Sequence, residues 1–355
     1  NLLTMKEEKL VDHLHRLIQH PEIDPHPLTK LAFLMNKELG PVFVPHVRPE
    51  DLDALVDPNG FLRLPTDKMA EIPQGLLDAD KVDSIWFSGK DWKALPNGIG
   101  RIKGLRRLDL SSNKLTTLPD ELAMLQDLEE LDLSSNGIKQ VPKLVFDLPK
   151  LRKLNLSFND FHELPVEIAK LTGLAHLNLY YGALKEFPTF LEKMPQLEVL
   201  ELGAKDGSHS WNHFPMGLLR LPKLKVLKLQ FHRLTEIPEG LVNLPLETLD
   251  LENNRLTHIP DWLFKAKGLR SLSLKGNEAI PELPAGIGDL VHLERLAIGG
   301  TKINALPPSV AYLQQLKELD LSKLKFEDNV ATMVILKQLP LVQKINYQNG
   351  PDQEF

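Results

Sequence analysis

Acidic and carboxamide side chains recur at one position of a regular spacing, which gives them the clearest potential for chemistry in this chain. The set is Asp109, Asp132, Asn155, Asn178, Glu201, Asp250 and Asp320. Paired carboxylates can perform general acid–base catalysis, and a column of carboxylates can attract a basic partner. Aspartate also suits a solvated position that has no further role. Since no pocket signal accompanies these residues, attraction of a basic partner and simple solvation stay as the two interpretations.

Twelve histidines raise the question of a metal site. His209 and His213 stand near Asp206 in an irregular segment, where such residues could ligate zinc. His13 and His15 are two residues apart on a predicted helix and would face different directions. Because surface histidines are more often unliganded, we expect no metal and no cofactor.

Sequence motifs of catalytic sites are missing from the chain. It contains no G-x-S-x-G, no Walker A loop, no G-x-G-x-x-G after a strand and no H-E-x-x-H. A glycine pair at Gly299 and Gly300 follows a predicted strand, where a turn already explains it. The sequence therefore predicts a protein that is not an enzyme.

Composition disfavours several other classes. A net charge of −6 disfavours nucleic-acid binding, which needs a cationic surface. No stretch approaches the roughly 18 apolar residues of a membrane span, and the first residues, NLLTMKEEKLVDHLHRL, lack the apolar core of a secretory signal. The absence of cysteine excludes disulfides and thiolate chemistry. We expect a cytoplasmic protein of intracellular or bacterial type without membrane insertion, and a secreted effector is the alternative.

The elements that position these residues follow a repeat of the pattern L-x-x-L-x-L. Successive units begin 22 to 27 residues apart, at Val82, Leu105, Leu128, Leu151, Leu174, Leu197, Leu224, Leu246, Leu269, Leu293 and Leu316. A degenerate unit from Asn59 and a strand-like piece from Val342 to Tyr347 bring the total to about thirteen. Each L-x-L step predicts a short strand with its leucines in the core.

The repeat resembles the leucine-rich repeat family, whose units of about 20 to 29 residues read L-x-x-L-x-L-x-x-N/C-x-L. Two clear copies are LRRLDLSSNKLTTLP from Leu105 and LEELDLSSNGIKQVP from Leu128. The recurring Leu-Pro pair is similar to that of the intracellular Ras-suppressor and Shoc-type class, and to Roco and bacterial repeat proteins.

This resemblance implies an α/β fold, a curved, horseshoe-shaped leucine-rich repeat solenoid. Its concave side would be a parallel β-sheet, and its convex side would carry short helices and turns. We expect the solenoid to span residues 59–349, with a tail at 350–355 and a helix from Glu327 to Leu339 covering the last units. Residues 1–58 have no repeat phase and predict a helical N-terminal cap or a small docking module.

Exposed aromatic residues on the predicted concave face concentrate in a few units, as is typical of a binding hot spot. The longest unit, from Leu197, adds an insertion beside them. The predicted partner-binding residues are Trp86, Phe158, His176, Asn178, Tyr180, Tyr181, Glu201, Trp211, Phe231 and His232. As alternatives, Phe158, Tyr181 and Phe231 would pack between units, and Trp86 would contact the N-terminal cap.

The family is interpreted as a binding scaffold, so the resemblance implies a non-enzymatic protein that binds another protein on its concave face. A basic surface on that partner would suit the carboxylate column. Two alternatives stay open: a regulatory or substrate-recognition module of a larger enzyme system, such as a Roco-type GTPase or bacterial effector, and a bacterial effector or surface protein acting on a host factor. The oligomeric state stays open.

Overall fold

The computed structural model describes residues 82–205 and 209–346, and the backbone of Leu62 and Arg63. Residues 1–155 and 156–355 form two compact units. The predicted cap at residues 1–58 and the tail at 350–355 lie outside the described residues, as do Asp206, His13 and His15.

In the first unit, the described strands each pair in parallel with the next strand along the chain. They are β1 (Leu62–Arg63), β2 (Ser84–Trp86), β3 (Arg107–Asp109), β4 (Glu130–Asp132) and β5 (Lys153–Asn155). Short 3-10 helices lie between consecutive strands from β2 onward: Ile99–Arg101, Asp120–Met124 and Lys143–Asp147.

The second unit continues the same alternation of strand and short helix. Its strands are β6 (His176–Asn178), β7 (Val199–Glu201), β8 (Val226–Lys228), β9 (Thr248–Asp250), β10 (Ser271–Ser273), β11 (Arg295–Ala297), β12 (Glu318–Asp320) and β13 (Lys344–Asn346), all parallel to their neighbours in this order. Its 3-10 helices are Val166–Lys170, Thr189–Lys193, Met216–Arg220, Glu239–Asn243, Asp261–Lys265, Ala285–Asp289 and Pro308–Tyr312.

The predicted repeat register is confirmed. Each strand from β2 to β12 occupies the third to fifth residues of a predicted unit. In each strand from β2 to β12, the middle residue faces inward, and so does the first residue after the strand. Leu108 and Leu110 illustrate this at 2% and 0% exposure. Since a fully buried leucine stabilises a fold by roughly 1.5–3 kcal/mol, this double column of leucines supplies the core of each unit.

The asparagine of the repeat links consecutive repeats through its side chain. Asn113 Oδ1 accepts the N–H groups of Lys90 and Trp92 at 3.0 and 3.1 Å. Its Nδ2 donates to the carbonyl oxygens of Phe87 and Leu110 at 2.8 and 3.0 Å. Backbone groups that leave the strand are thereby paired inside the core, where an unpaired group would be costly.

Proline begins the helical side of most repeats. It precedes the first helical residue with an extended backbone, as Pro119 does at φ −71° and ψ 145°. The helices are 3-10 helices of three or five residues because one turn suffices to bury a single apolar side chain, such as Leu122 at 0% exposure. The predicted short helices are therefore present, in the tighter 3-10 form.

The predicted C-terminal helix is α1 (Asn329–Leu336), shorter than the predicted span. Asp328 caps it, because its Oδ1 accepts the N–H groups of Val330 and Ala331 at 2.9 Å. Ile335 and Leu336 are buried at 8% exposure. Among the described helices, none has the length and apolar character that crossing a bilayer requires.

Candidate binding surface

Three aromatic residues occupy a backbone position that normally favours glycine. Phe158, Tyr181 and Phe231 have φ of 54°, 60° and 62°, and each is the eighth residue of its unit. In other repeats the position is also at positive φ and is held by residues that are small or hydrophilic: Gly89, Ser112, Ser135, Asn253, Gly276, Gly300 and Lys323. A residue other than glycine in this left-handed conformation costs about 1–2 kcal/mol, and three of the residues at this position are aromatic.

The left-handed turn directs these rings outward. Phe158 is 47% exposed, Tyr181 37% and Phe231 38%. Their N–H groups stay in the ladder, since Phe158 donates to Tyr180 O at 2.9 Å and Phe231 to Glu252 O at 2.9 Å. The backbone is thus fully used for folding, while the rings remain available to a partner.

Tyr180 joins the three rings into one group. Its ring centroid lies 5.5 Å from that of Phe158, 6.0 Å from Tyr181 and 6.4 Å from Phe231. Phe158 and Tyr181 are 5.0 Å apart. These separations are those of interacting aromatic pairs, and Phe158, Tyr180, Tyr181 and Phe231 are here named the aromatic cluster. The alternative expectation from the sequence is that Phe158, Tyr181 and Phe231 pack between repeats. Their rings do contact rings of other repeats, but each ring keeps an exposed face.

The ring of Tyr180 lies over the α-carbon of Gly203 in the next repeat. A Cβ placed on Gly203 would fall 2.4 Å from the ring and 3.1 Å from Gln230 Oε1. No side chain fits at that distance, so glycine is required for the ring to lie on the sheet. Sequence reasoning missed Gly203, although it stands between two aromatic-bearing repeats.

Asp250 and Glu252 lie beyond the cluster on the same sheet face. Burial raises the pKa of both carboxyl groups, and the charge of Asp250 raises the pKa of Glu252 further. Burial also raises the pKa of the Tyr180 hydroxyl, followed by the charges of Glu252 and Asp250. The tyrosine and the two carboxylates therefore share one electrostatic environment.

The column of acidic and carboxamide side chains has a structural role that sequence reasoning did not identify. In most repeats the side chain accepts the N–H two residues later: Asp109 from Ser111, Asp132 from Ser134, Asn178 from Tyr180, Asp250 from Glu252 and Asp320 from Ser322, at 2.8 to 3.0 Å. This hydrogen bond shapes the turn that leaves the strand. The recurrence of these acidic and carboxamide side chains is therefore explained by their hydrogen bonds in the turns.

Two of the predicted partner-binding residues are buried and not exposed on the sheet face. Trp211 is 8% exposed and His232 is 3% exposed. His232 stands at the repeat position that Asn254 holds in the next repeat, and it makes the corresponding bonds. Its Nδ1 accepts the Trp211 N–H at 3.1 Å, and its Nε2 lies 2.7 Å from Leu202 O. Burial lowers the pKa of His232 to about 4, so the ring is neutral and its Nε2–H donates to that carbonyl.

The remaining predicted residues lie on strands. His176, Asn178 and Glu201 are half-buried on β6 and β7, next to the aromatic cluster in sequence and register. Glu201 forms a salt bridge with Lys228 at 3.1 Å. Trp86 is half-buried on β2 in the first unit.

Of the histidines considered for metal binding, His209 and His213 lie among the described residues. The His209 ring stacks on that of His162 with centroids 5.7 Å apart. Within residues 82–205 and 209–346, no three His, Cys, Asp or Glu side chains converge in a way that could hold a metal ion.

A cleft of about 590 Å³ adjoins the aromatic cluster at Phe231. Arg233 and Arg255 from consecutive repeats line it, together with Lys205 and Glu278. Phe231 thus borders a cleft whose lining includes three cationic side chains, whereas the carboxylates Asp250 and Glu252 lie on the sheet.

Comparison with known proteins supports the repeat assignment. The family model described as leucine-rich repeat region matches residues 90–263 and 263–352. Leucine-rich repeat-containing G-protein coupled receptor 4 of Mus musculus is 33% identical over 115 residues, which are 31% of this chain and 12% of the receptor. Vasorin of Mus musculus is 31% identical over 126 residues, 34% of this chain and 18% of vasorin. The chain therefore spans less than a fifth of these relatives.

Solved structures extend the similarity over most of the chain. A leucine-rich repeat protein of Leptospira interrogans has a TM-score of 0.68 and 31% identity, covering 81% of this chain and 71% of that one. An internalin of Listeria monocytogenes has a TM-score of 0.61 at 21% identity and covers 85% of both chains, which shows a shared fold. Because the family model matches well over half of the sequence, this chain belongs to the leucine-rich repeat family.

Proposed function

We propose that the chain is a non-enzymatic protein-interaction scaffold that binds a partner protein on the open sheet face, at the aromatic cluster. This face is the one predicted to be concave. The observation that carries the proposal is the placement of Phe158, Tyr181 and Phe231 in left-handed backbone with exposed rings. Small or hydrophilic residues hold this position at positive φ in the other repeats, and exposed aromatic groups are typical anchors of protein interfaces.

The rigidity of the surface supports this function. The rings are carried on paired strands and hydrogen-bonded turns, so their positions are set before a partner arrives. Binding to a preformed surface loses less conformational entropy than ordering a flexible loop. Membership of the leucine-rich repeat family supports an interaction module, and the location of the site at the aromatic cluster is our proposal.

An alternative is a regulatory or substrate-recognition module of a larger enzyme. One observation favours it: leucine-rich repeat serine/threonine-protein kinase 1 of Mus musculus is 32% identical over 120 residues, 31% of this chain but 6% of the kinase. In that case the same surface would bind the substrate or regulator of an activity located elsewhere. A cytoplasmic or bacterial origin stays part of the proposal, and the lack of cysteine supports it.

The experiment compares three versions of the chain as bait in a pull-down from lysate of the source organism. They are the wild type, Tyr180→Ala/Tyr181→Ala, and Tyr312→Ala as a matched control, since Tyr312 is 68% exposed on the helical side. Circular dichroism first establishes that all three fold.

A protein retained by the wild type and the control but lost from the double variant supports the proposal. Hydrogen exchange of the purified complex then maps the contact, and protection is expected around β6 to β9. A partner that binds the double variant as well as the wild type contradicts the proposed site.

A further inference from the structure

The sheet face beside the aromatic cluster carries more negative than positive charge. From β7 to β12, the outward side chains at the fifth and seventh positions of the repeats include four carboxylates and two ammonium groups: Glu201, Asp250, Glu252 and Asp320 against Lys228 and Lys275. A surface of this balance attracts a cation and repels nucleic acid.

The ammonium groups are already paired with the outer carboxylates. Lys228 Nζ lies 3.1 Å from Glu201 and Lys275 Nζ lies 2.7 Å from Asp320. Asp250 and Glu252, between them, form no salt bridge with any described residue. The charges of Lys228 and Lys275 also act on Asp250 and Glu252, respectively. The four carboxylates therefore share two ammonium groups, and the excess of negative charge favours a further cation.

A buried acceptor without a partner lies beside these carboxylates. Gln230 is 9% exposed, and its Nε2 donates to Asp250 Oδ2 at 2.7 Å. Its Oε1 has no hydrogen-bond partner among the described residues. Oε1 lies 3.1 Å from the point where a Cβ of Gly203 would stand, next to the ring of Tyr180. Its partial negative charge adds to that of the two carboxylates, and an unsatisfied buried acceptor in a native fold calls for an explanation.

Aromatic rings complete the arrangement. Tyr180 and Phe231 lie 6.4 Å apart with their planes at 62°, so the edge of one ring faces the plane of the other. The charges of Glu252 and Asp250 act on the Tyr180 hydroxyl and raise its pKa. Ring faces attract cations, and a guanidinium stacks on them while its N–H groups donate to carboxylates. An ammonium group offers fewer directed donors and no plane to stack.

We propose that Tyr180, Phe231, Asp250 and Glu252 form a subsite for an arginine side chain of the partner protein. The inference rests on the proposed scaffold function and specifies the chemistry of its partner. The guanidinium would stack on the aromatic cluster and neutralise Asp250 and Glu252.

The probe is the tripeptide acetyl-Gly-Arg-Gly-amide, with the citrulline peptide as its neutral isostere and the lysine peptide as the ammonium arm. Binding to the full chain is measured by saturation-transfer NMR on the peptide protons. The test variant is Asp250→Asn/Glu252→Gln, which removes both charges and keeps the shape. Glu252→Gln alone serves if the double variant does not fold. The matched control is Asp109→Asn, at the same repeat position in the first unit.

We expect the arginine peptide to bind more tightly than the lysine peptide, and no saturation of the citrulline peptide. The charge-removing variant should weaken arginine binding on the order of tenfold, and Asp109→Asn should leave it unchanged. Equal binding of citrulline and arginine overturns the subsite, as does full binding by the charge-removing variant or loss of binding in the control. Lysine binding as tightly as arginine overturns the guanidinium assignment.

Failure of this subsite is separable from failure of the scaffold function. If the partner is lost from Tyr180→Ala/Tyr181→Ala but kept by Asp250→Asn/Glu252→Gln, the scaffold function stands and the arginine subsite is wrong. If the tyrosine variant keeps its partner, the scaffold function itself fails at this surface.

Discussion

The imidazole of His232 stacks on the indole of Trp211 with ring centroids 4.2 Å apart, and its Nδ1 accepts the backbone N–H of that same tryptophan. Trp211 belongs to the longest repeat of the chain, which begins at Leu197, and His232 belongs to the repeat after it. His232 makes the hydrogen bonds that Asn254 makes in the next repeat, where Asn254 Oδ1 accepts the Leu234 N–H at 3.1 Å and Nδ2 donates to Leu229 O at 2.7 Å.

This substitution predicts a pH dependence of stability. The folded pKa of His232, about 4, lies below its unfolded value of 6.5. The unfolded chain therefore binds more protons between these values, and stability falls as pH falls from about 6.5 to about 4, by up to about 3 kcal/mol. Urea unfolding across this range should show a steeper loss for the wild type than for His232→Asn. Identical slopes would contradict a neutral buried imidazole.

Replacing Leu133 with aspartate should unfold the repeats around β4. Leu133 is 0% exposed, and a buried charge without a partner costs well above about 3 kcal/mol. Thermal melting followed by circular dichroism measures the effect. Gln140→Asp, at an exposed position of the same repeat, is the control of equal charge. An unchanged melting curve for Leu133→Asp would refute the inward direction of this residue.

Phe158→Asn should separate binding from folding. Asparagine tolerates φ near 54° better than phenylalanine does, as Asn253 does at φ 53° in a later repeat. The gain in backbone preference offsets the lost ring contacts, so the free energy of unfolding should change by less than about 1 kcal/mol. Partner binding should fall by roughly tenfold or more. A large loss of stability would mean that the ring belongs to the core.

Gly203→Ala should displace the Tyr180 ring without removing it. The new methyl group would stand 2.4 Å from the ring, so the half-exposed tyrosine must rotate off the sheet at a cost of about 1–3 kcal/mol. Partner affinity should fall although every aromatic side chain is present. Gly137→Ala is the control, because its Cβ would meet its nearest atom, in Thr116, at 3.4 Å. Equal affinity in both variants would show that the ring position is unimportant.

Several features could be predicted from the sequence because they repeat. Leucine spacing alone placed β2 to β12, since a one-residue error would turn every inward leucine to solvent. The asparagine of the family pattern recurs in the same way, and the structure shows that Asn113 uses its side chain to bond a neighbouring repeat. Contacts that occur once were harder to predict: the asparagine position of His232 was visible in the sequence, yet its burial against Trp211 depends on how a single long repeat folds.

The sequence by itself determined the family, the parallel strand order and the group of repeats in which the aromatic residues lie. A periodic pattern carries this information because every repeat buries the same positions against its neighbours. Tertiary structure decided which side chains are accessible. Only the path of the backbone turns Phe158 and Phe231 outward while it buries Trp211 and His232, and only the absence of a Cβ at Gly203 lets the Tyr180 ring lie on the sheet.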